Sequence, residues 1–115
     1  MEQLNKVELA GIVGKSTLSV VGERQVLNFS VVTERCYKDQ NGGAIIETTW
    51  HQCTAWESEK IPNEVMSAVG RGSKVHLVGR LRNRNYTDQD NAVHHVYEVM
   101  VSSLELVNEN LDVTM

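Results

Sequence analysis

The sequence predicts an all-β domain, a five-stranded barrel with one short helix between the third and fourth strands. Apolar and polar residues alternate in five separate segments, which is the period of a half-buried strand. One further segment has helical spacing instead. The chain has 115 residues, 41% of them hydrophobic and 23% charged, which suits one globular domain and is too apolar for a disordered chain.

The five strands follow from this alternation in chain order. The first is expected around 7–13 and the second from Gln25 to Arg35. The third is expected from about Glu47 to Trp56, the fourth from Lys74 to Arg84 and the fifth from about Val93 to Leu106.

The helix is expected just after Pro62, because a proline in the first helical turn sacrifices no hydrogen bond. Val65, Met66 and Val69 supply an apolar helical face, and Gly70 is expected to end the helix in the left-handed conformation. Three strands, a helix and two strands is the order of the five-stranded OB barrel. We expect this domain to span residues 1–107, with 108–115 as a short acidic overhang.

Several classes of protein are disfavoured. No apolar run approaches the roughly 20 residues that cross a bilayer, so no membrane association is expected. The first residues, MEQLNKVELAG, lack the pattern of a signal peptide, and a cytoplasmic location is expected. The two cysteines, Cys36 and Cys53, form no C-x-x-C motif and are expected to be thiols.

The third strand carries two tryptophans on one face. Alternation places Trp50 and Trp56 together with Thr48, Gln52 and Thr54, and a pure core face would not mix polar residues with the largest rings. Six residues at 3.3 Å each separate the indoles by about 20 Å, so they could stack on separate bases. The alternative is that one tryptophan caps the barrel core. Of the remaining aromatic residues, Phe29 and Tyr97 are expected in the interior or at an interface.

The fourth strand carries a basic face, which consists of Lys74, His76, Arg80, Arg82 and Arg84. Such a face is usually only the solvated side of a sheet, and the net charge of −4 argues against nucleic acid. The distribution of charge argues the other way: residues 71–86 include five basic and no acidic side chains, while six acidic and no Lys or Arg residues follow from 87 onwards. Cations that neutralise phosphates, beside aromatic rings that stack on bases, are the chemistry of single-strand recognition with little sequence preference.

Four segments carry a resemblance to a known family: NKVELAGIVGK at 5–15, VLNFSVVTER at 26–35, TTWHQCTAW at 48–56 and GSKVHLVGRLRNRNYTDQD at 72–90. In this order and spacing the chain resembles the bacterial single-stranded DNA-binding protein family. The resemblance implies an OB fold that assembles as a homotetramer, a dimer of dimers. It also implies coating of exposed single strands during DNA replication, recombination and repair.

The resemblance also assigns residues. It places stacking rings at Trp50, Trp56 and Tyr86. The family also has an aromatic residue in the loop after its second strand; register gives Cys36 there, and the neighbouring Tyr37 is taken as the candidate. The family's basic pair before the loop aromatic falls on Arg82 and Arg84. His51 matches a histidine with a structural role. Together with the basic face, the candidate DNA-binding residues are Trp50, Trp56, Tyr86, Arg82, Arg84, Arg80, Tyr37 and Lys74.

The chain departs from the family pattern at two places. The segment from Lys15 to Gln25 is shorter than the usual first loop and lacks its proline-containing turn. The chain ends at NENLDVTM, without the long linker and acidic tip that the family usually carries. Recruitment of repair and replication enzymes through such a tail is therefore not expected.

Two other classes of function were compared with DNA binding. The four histidines and two cysteines show no metal-ligand spacing, and no phosphate loop, nucleophile elbow or carboxylate pair is visible. We therefore expect no enzyme, no catalytic residue, no metal site and no cofactor. A primosome accessory protein or protein-interaction module on an OB fold, with weaker DNA binding, remains the alternative. The paired tryptophans and the R-x-R-x-Y segment argue against it.

Overall fold

The computed structural model describes residues 1–107, and the expected overhang at 108–115 lies outside them. The predicted architecture is confirmed: five strands form a closed barrel in the order β1-β2-β3-β5-β4, with one helix between β3 and β4. The elements are β1 Val7–Val21, β2 Arg24–Lys38, β3 Ala44–Trp56, α1 Asn63–Ala68, β4 Lys74–Thr87 and β5 Val93–Leu106.

The barrel core is built from alternate residues of the strands, as a two-residue period requires. Leu27, Phe29 and Val31 of β2 are buried there, together with Val75 and Leu77 of β4. The helix packs on the same cluster through Met66, and Ile61 and Val69 on either side of it are buried as well.

The first strand serves two neighbours. It pairs with β4 from Val7 to Ile12 and with β2 from Ile12 to Val21. The pairing with β2 skips Gly14, which forms a bulge that bends the strand between its two partners. The β1–β2 hairpin closes in a two-residue turn, where Gly22 has φ +64° as the first position of a type II′ turn requires.

Two hairpins continue beyond the barrel. Strands β3 and β5 run parallel and pair only where Cys53–Ala55 meets Val99–Val101, while β2–β3 and β4–β5 remain paired to their tips. Residues 32–50 thus form a β2–β3 arm and residues 82–98 a β4–β5 arm. A cleft opens between them.

The two arms end in turns of the same construction. Oδ1 of Asp39 accepts hydrogen bonds from the backbone N–H groups two and four residues later, at 2.9 and 2.7 Å. Oδ1 of Asp88 does the same at 2.8 and 3.0 Å. Each turn has a left-handed residue in its fourth position, Gly42 with φ +82° and Asn91 with φ +63°.

The predicted end of the helix is wrong. Gly70 does not end the helix in the left-handed conformation: α1 ends at Ala68, Val69 is extended, and the positive φ in this loop belongs to Gly72, at +89°. Leu81 lies on the same face of β4 as the buried Val75 and Leu77 but is 44% exposed, because it lies next to the start of the β4–β5 arm.

Candidate nucleic-acid interface

Three open depressions meet at one residue on the surface of the barrel. Their volumes are about 540, 270 and 200 Å³, and Gln52 of β3 lines all three. The first reaches Tyr86 on β4, the second reaches Lys15 on β1, and the third reaches Trp50 and Tyr97 in the cleft between the arms. We call these adjoining depressions the central trough. Its length across several strands suits an extended polymer better than a small ligand.

Trp50 presents an open indole at this trough. Its ring rests on the β1 bulge, where a Cβ added to Gly14 would lie 2.4 Å from Cζ3 of the indole. Because Gly14 has no side chain, the indole can lie directly against the backbone of the bulge. The side chain remains 58% exposed, so a planar ligand could stack on it.

Trp56, at the other end of the same face, is half-buried and lies under a cation. The guanidinium carbon of Arg24 is 5.1 Å from the centre of its ring, and Arg24 is itself held by a 2.9 Å hydrogen bond from Nη2 to the carbonyl of Glu57. Neither tryptophan belongs to the buried core cluster. The indoles therefore do not fill the barrel, and that of Trp50 is open to a ligand.

Tyr86 lies within β4 and not at a loop tip. It is stacked on His94 of β5, with the ring centres 4.9 Å apart and the planes 15° from parallel. Nε2 of His94 lies 2.6 Å from Oδ2 of Asp88. The hydrogen bond with His94, followed by that from the Ala92 N–H, lowers the pKa of Asp88. This carboxylate fixes the imidazole, and the imidazole supports one face of the tyrosine.

Tyr37 lies on the β2–β3 arm, close to its tip. The guanidinium carbon of Arg35 is 5.9 Å from the centre of its ring, and the side chain is exposed. Three of the four candidate stacking residues thus have a cation or an imidazole beside them. Sequence reasoning identified the rings but not these neighbours.

Arg82 differs from the other cations because it is paired with a buried acid. Glu98 is only 6% exposed and accepts hydrogen bonds from Nε of Arg82 at 3.2 Å, from Nη2, and from the hydroxyl of Thr54 at 3.0 Å. Burial alone would raise the pKa of Glu98, but these bonds and the charges of Arg82 and Arg84 outweigh it and lower the pKa. Arg82 therefore neutralises a carboxylate beneath the trough.

The remaining predicted cations are distributed unevenly. Arg84 lines the trough beside Tyr86, and Arg80 is exposed on the same face of β4. Lys74 lies at the opposite end of β4 from Tyr86, next to Ile12 of β1. The structure therefore brings Arg84 to the trough and leaves Lys74 away from Tyr86.

The trough also contains residues that sequence reasoning did not select. Gln52 lies at its centre, Asn28 on β2 lines two of its depressions, and Lys15 adds a cation from β1. Gln52 could have been selected as a candidate from the sequence, because it lies on the same face of β3 as the two tryptophans. Lys15 and Asn28 reach the trough only through strand pairing, and no local pattern indicates them. Tyr97, expected in the interior or at an interface, is not in the interior: it is exposed and lines two of the depressions.

The histidines and cysteines have other roles in residues 1–107. Nε2 of His51 lies 2.9 Å from the Thr33 hydroxyl. Burial, followed by the charge of Glu98, raises the pKa of the Cys53 thiol to about 12. Within this part of the chain no group of three or more His, Cys, Asp or Glu residues could hold a metal ion, and no helix is long and apolar enough to span a membrane.

One further histidine joins three strands. Nε2 of His76 on β4 lies 2.6 Å from Glu8 on β1, and Nδ1 lies 3.0 Å from Glu105 on β5. We call this arrangement the His76 bridge. The hydrogen bond with Glu8, and next that with Glu105, raises the pKa of the imidazole, although desolvation opposes them.

Comparison with known proteins gives consistent results. A family model described as the single-strand binding protein family matches residues 4–107. The single-stranded DNA-binding protein of Neisseria meningitidis is 30% identical over 112 residues, covering 93% of this chain and 63% of the relative. That of Bacteroides thetaiotaomicron is 33% identical over 109 residues, covering 91% and 66%. The chain thus spans slightly less than two thirds of the length of these relatives.

Two solved structures share the fold. One is a Plasmodium falciparum SSB complex with ssDNA, with a TM-score of 0.81 and 22% identity, covering 94% of this chain and 98% of that one. The other is a deletion mutant of the Thermus aquaticus single-stranded DNA binding protein, with a TM-score of 0.73 and 15% identity, covering 91% and 51%.

Proposed function

This chain belongs to the single-strand binding protein family, and we propose that it binds single-stranded DNA with little sequence preference. In this role it coats and protects strands exposed during replication, recombination and repair. The observation that carries the proposal is the central trough, where the open indole of Trp50 lies on the same surface as Tyr86 and Arg84.

The aromatic residues would hold the bases. A base stacked on an aromatic side chain contributes about 1–3 kcal/mol whatever its identity, because every base has a π-face. Trp50, Trp56, Tyr86 and Tyr37 all lie outside the buried core and are at least partly exposed. Several such contacts give useful affinity without reading sequence.

The cations would hold the backbone. Arg84 and Lys15 line the trough, and Arg80 is exposed on the same face of β4. We assign phosphate contacts to these residues. To Lys74, which lies at the other end of β4 from Tyr86, we assign a phosphate contact outside the central trough. We assign Arg82 to the support of Glu98, because its charge is already paired.

We further propose that the protein acts as a homotetramer, a dimer of dimers, in the cytoplasm. The family resemblance motivates this assembly, and exposed aliphatic side chains on β1 are consistent with it, notably Leu18, Val20 and Val21. Binding is passive and stoichiometric, with no chemical turnover. Sedimentation of the free protein tests the assembly, and a monomer at micromolar concentration would contradict it.

The binding proposal is tested by titration with oligo-dT while tryptophan fluorescence is followed. We expect strong quenching, with log K falling against log salt by about 0.7 per phosphate neutralised. Trp50→Ala should weaken binding by about 1–3 kcal/mol with little change in this slope. No quenching and no binding at low salt would refute the proposal and favour the protein-interaction module instead.

A further inference from the structure

A cation that the sequence argument did not select lies over the ring of Trp56. Arg24 is the first residue of β2, directly after the turn of the β1–β2 hairpin, and its side chain is exposed. Its guanidinium carbon lies 5.1 Å from the centre of the ring, which is within the range of a cation–π contact. This contact and the 2.9 Å hydrogen bond from Nη2 to the carbonyl of Glu57 hold the side chain against the end of β3. The charge of Arg24 therefore has a defined place on the surface.

The charge of Arg24 is not neutralised by an acid. Its hydrogen-bond acceptor is a backbone carbonyl, which carries no net charge. The carboxylate of Glu57 accepts the backbone N–H of Gln25 at 3.0 Å instead, and no ion pair of the described chain involves Arg24. Arg82 is the opposite case, since its guanidinium is paired with the buried Glu98. A guanidinium has further N–H donors in the same plane, so Arg24 can still bind an anion.

The strand register places Arg24 on the proposed DNA-binding face. Trp56 is opposite Val26, and Arg24 lies two residues before Val26, on the same face of β2. Lys15, the cation of the central trough on β1, is opposite Ser30. The segment from Arg24 to Ser30 spans about 20 Å at 3.3 Å per residue, which exceeds a Debye length of about 10 Å. Arg24 and Lys15 would therefore meet different phosphates.

We propose that Arg24 binds a phosphate of the single strand, beside the base held at Trp56. This contact continues the path of phosphates from Arg84 and Lys15 to the turn of the β1–β2 hairpin. The inference rests on the proposed function, since it adds a contact to the same strand. The planar fork of N–H donors fits the oxygens of one phosphate, while the guanidinium remains over the indole.

The test compares Arg24→Gln, Arg24→Lys and Lys60→Gln in binding of a fluorescein-labelled oligo-dT, followed by anisotropy over a series of salt concentrations. Lys60 is the matched control. It is exposed, its replacement removes the same charge, and it lines a separate depression with His76 and Glu105, which contains no residue of the central trough.

The three variants should differ in the salt dependence of binding. Arg24→Gln should lower the slope of log K against log salt by about 0.7, so that its loss of affinity is about fivefold near 0.1 M salt and disappears towards about 1 M. Arg24→Lys should keep the slope of the parent, because lysine also neutralises a phosphate, as a point charge. Lys60→Gln should keep it as well. Since the side chain of Arg24 is exposed, both of its variants should melt close to the parent.

The slope separates a phosphate contact from mere packing on Trp56. If Arg24 only supports the indole, Arg24→Gln will weaken binding equally at all salt concentrations and keep the slope of the parent. That result would overturn the inference, as would tighter binding by Arg24→Gln or an equal fall of the slope in Lys60→Gln.

Sedimentation of Arg24→Gln provides a second readout, because Arg24 is opposite Val21, one of the exposed aliphatic residues named for the proposed assembly. The oligomeric state should match that of the parent. A changed oligomeric state with an unchanged slope would assign Arg24 to a contact between copies and overturn the inference.

The failure of this inference differs from the failure of the proposed function. If the parent binds oligo-dT and Arg84→Ala lowers the slope while Arg24→Gln does not, Arg24 is no phosphate contact and the proposed function stands. If the parent does not bind at all, the proposed function fails, and the inference fails with it.

Discussion

Replacing Gly14 by alanine should disturb the proposed DNA-binding surface while leaving the fold intact. The added Cβ would lie 2.4 Å from Cζ3 and 2.8 Å from Cη2 of Trp50. Since ordinary contact begins at 3.4 Å, the edge of the indole has to retreat by about 1 Å. The obstacle is the far end of a half-exposed side chain, so the ring can move without displacing the barrel. Its stacking geometry changes instead.

Gly11 on the same strand provides the contrast. An alanine there also meets an atom at 2.4 Å, but this atom is the backbone carbonyl oxygen of Val32, which is fixed in the sheet. Overpacking of this kind costs about 1–3 kcal/mol of unfolding free energy. Gly14→Ala should lose less stability than Gly11→Ala, because the indole of Trp50 can retreat whereas the carbonyl of Val32 cannot. The smaller conformational freedom of the unfolded alanine chain returns about 0.4–1 kcal/mol in both variants.

The assay uses a Trp56→Phe background, in which Trp50 is the only indole of the chain. Gly14→Ala should shift the emission of Trp50 and weaken oligo-dT binding by up to the value of one stacked base, about 1–3 kcal/mol. Thermal unfolding is measured on both glycine variants. Unchanged emission and affinity in Gly14→Ala would refute the seating of the ring on the bulge, and equal loss of stability in the two variants would show that the ring cannot move.

Three further predictions follow from the ionisable groups. Arg82→Ala should lower the unfolding free energy by about 1–3 kcal/mol, because the buried Glu98 loses a partner, and should leave the salt dependence of oligo-dT binding nearly unchanged. Arg84→Ala should lower the slope of log K against log salt by about 0.7, with little loss of stability. The reverse pattern would contradict these assignments. The pKa of His76 is raised in the folded state. The His76 bridge therefore stabilises the fold fully below the unfolded pKa of about 6.5, and this stabilisation is lost as the pH rises through the folded pKa. Over this interval the melting temperature of the parent should fall towards that of His76→Gln, and parallel curves of melting temperature against pH would argue against the bridge. Burial raises the pKa of Cys53 to about 12, so one thiol per folded chain should react quickly at pH 8 and two after denaturation, whereas two fast thiols in the native protein would disprove its protection.

The sequence predicted the barrel because its strands obey one simple constraint. A strand with one face in the core must alternate apolar and polar residues. The apolar positions of this pattern in β2, Leu27, Phe29 and Val31, are buried in the barrel. The fifth strand was located at its observed bounds, Val93 to Leu106. The helix was found from its apolar face, but its end was not, because the loop uses Gly72 and not Gly70 for the left-handed turn.

The arms could not be inferred in the same way. Alternation continues along a hairpin after it has left the barrel, so pattern alone cannot say where the core ends. Leu81 and Tyr97 share the face of their strands that is buried inside the barrel, and yet both are exposed. The deciding fact is that β3 and β5 pair over only three residues each, which is a property of strand packing between segments far apart in the sequence.

Arg82 and Arg84 show why the net charge of the chain is a poor guide to its proposed partner, single-stranded DNA. They lie two residues apart on one face of β4 and are equivalent in the sequence, but Arg82 is opposite Glu98 in the register and Arg84 is opposite Val96. One carboxylate from β5 therefore neutralises the first cation and leaves the second at the trough. A phosphate responds to charges within a Debye length, about 8–10 Å at moderate salt, and not to the net −4 of the chain. The register of β4 with β5, more than the number of basic residues, therefore decides which cations are left at the trough for the proposed contacts with a phosphate backbone.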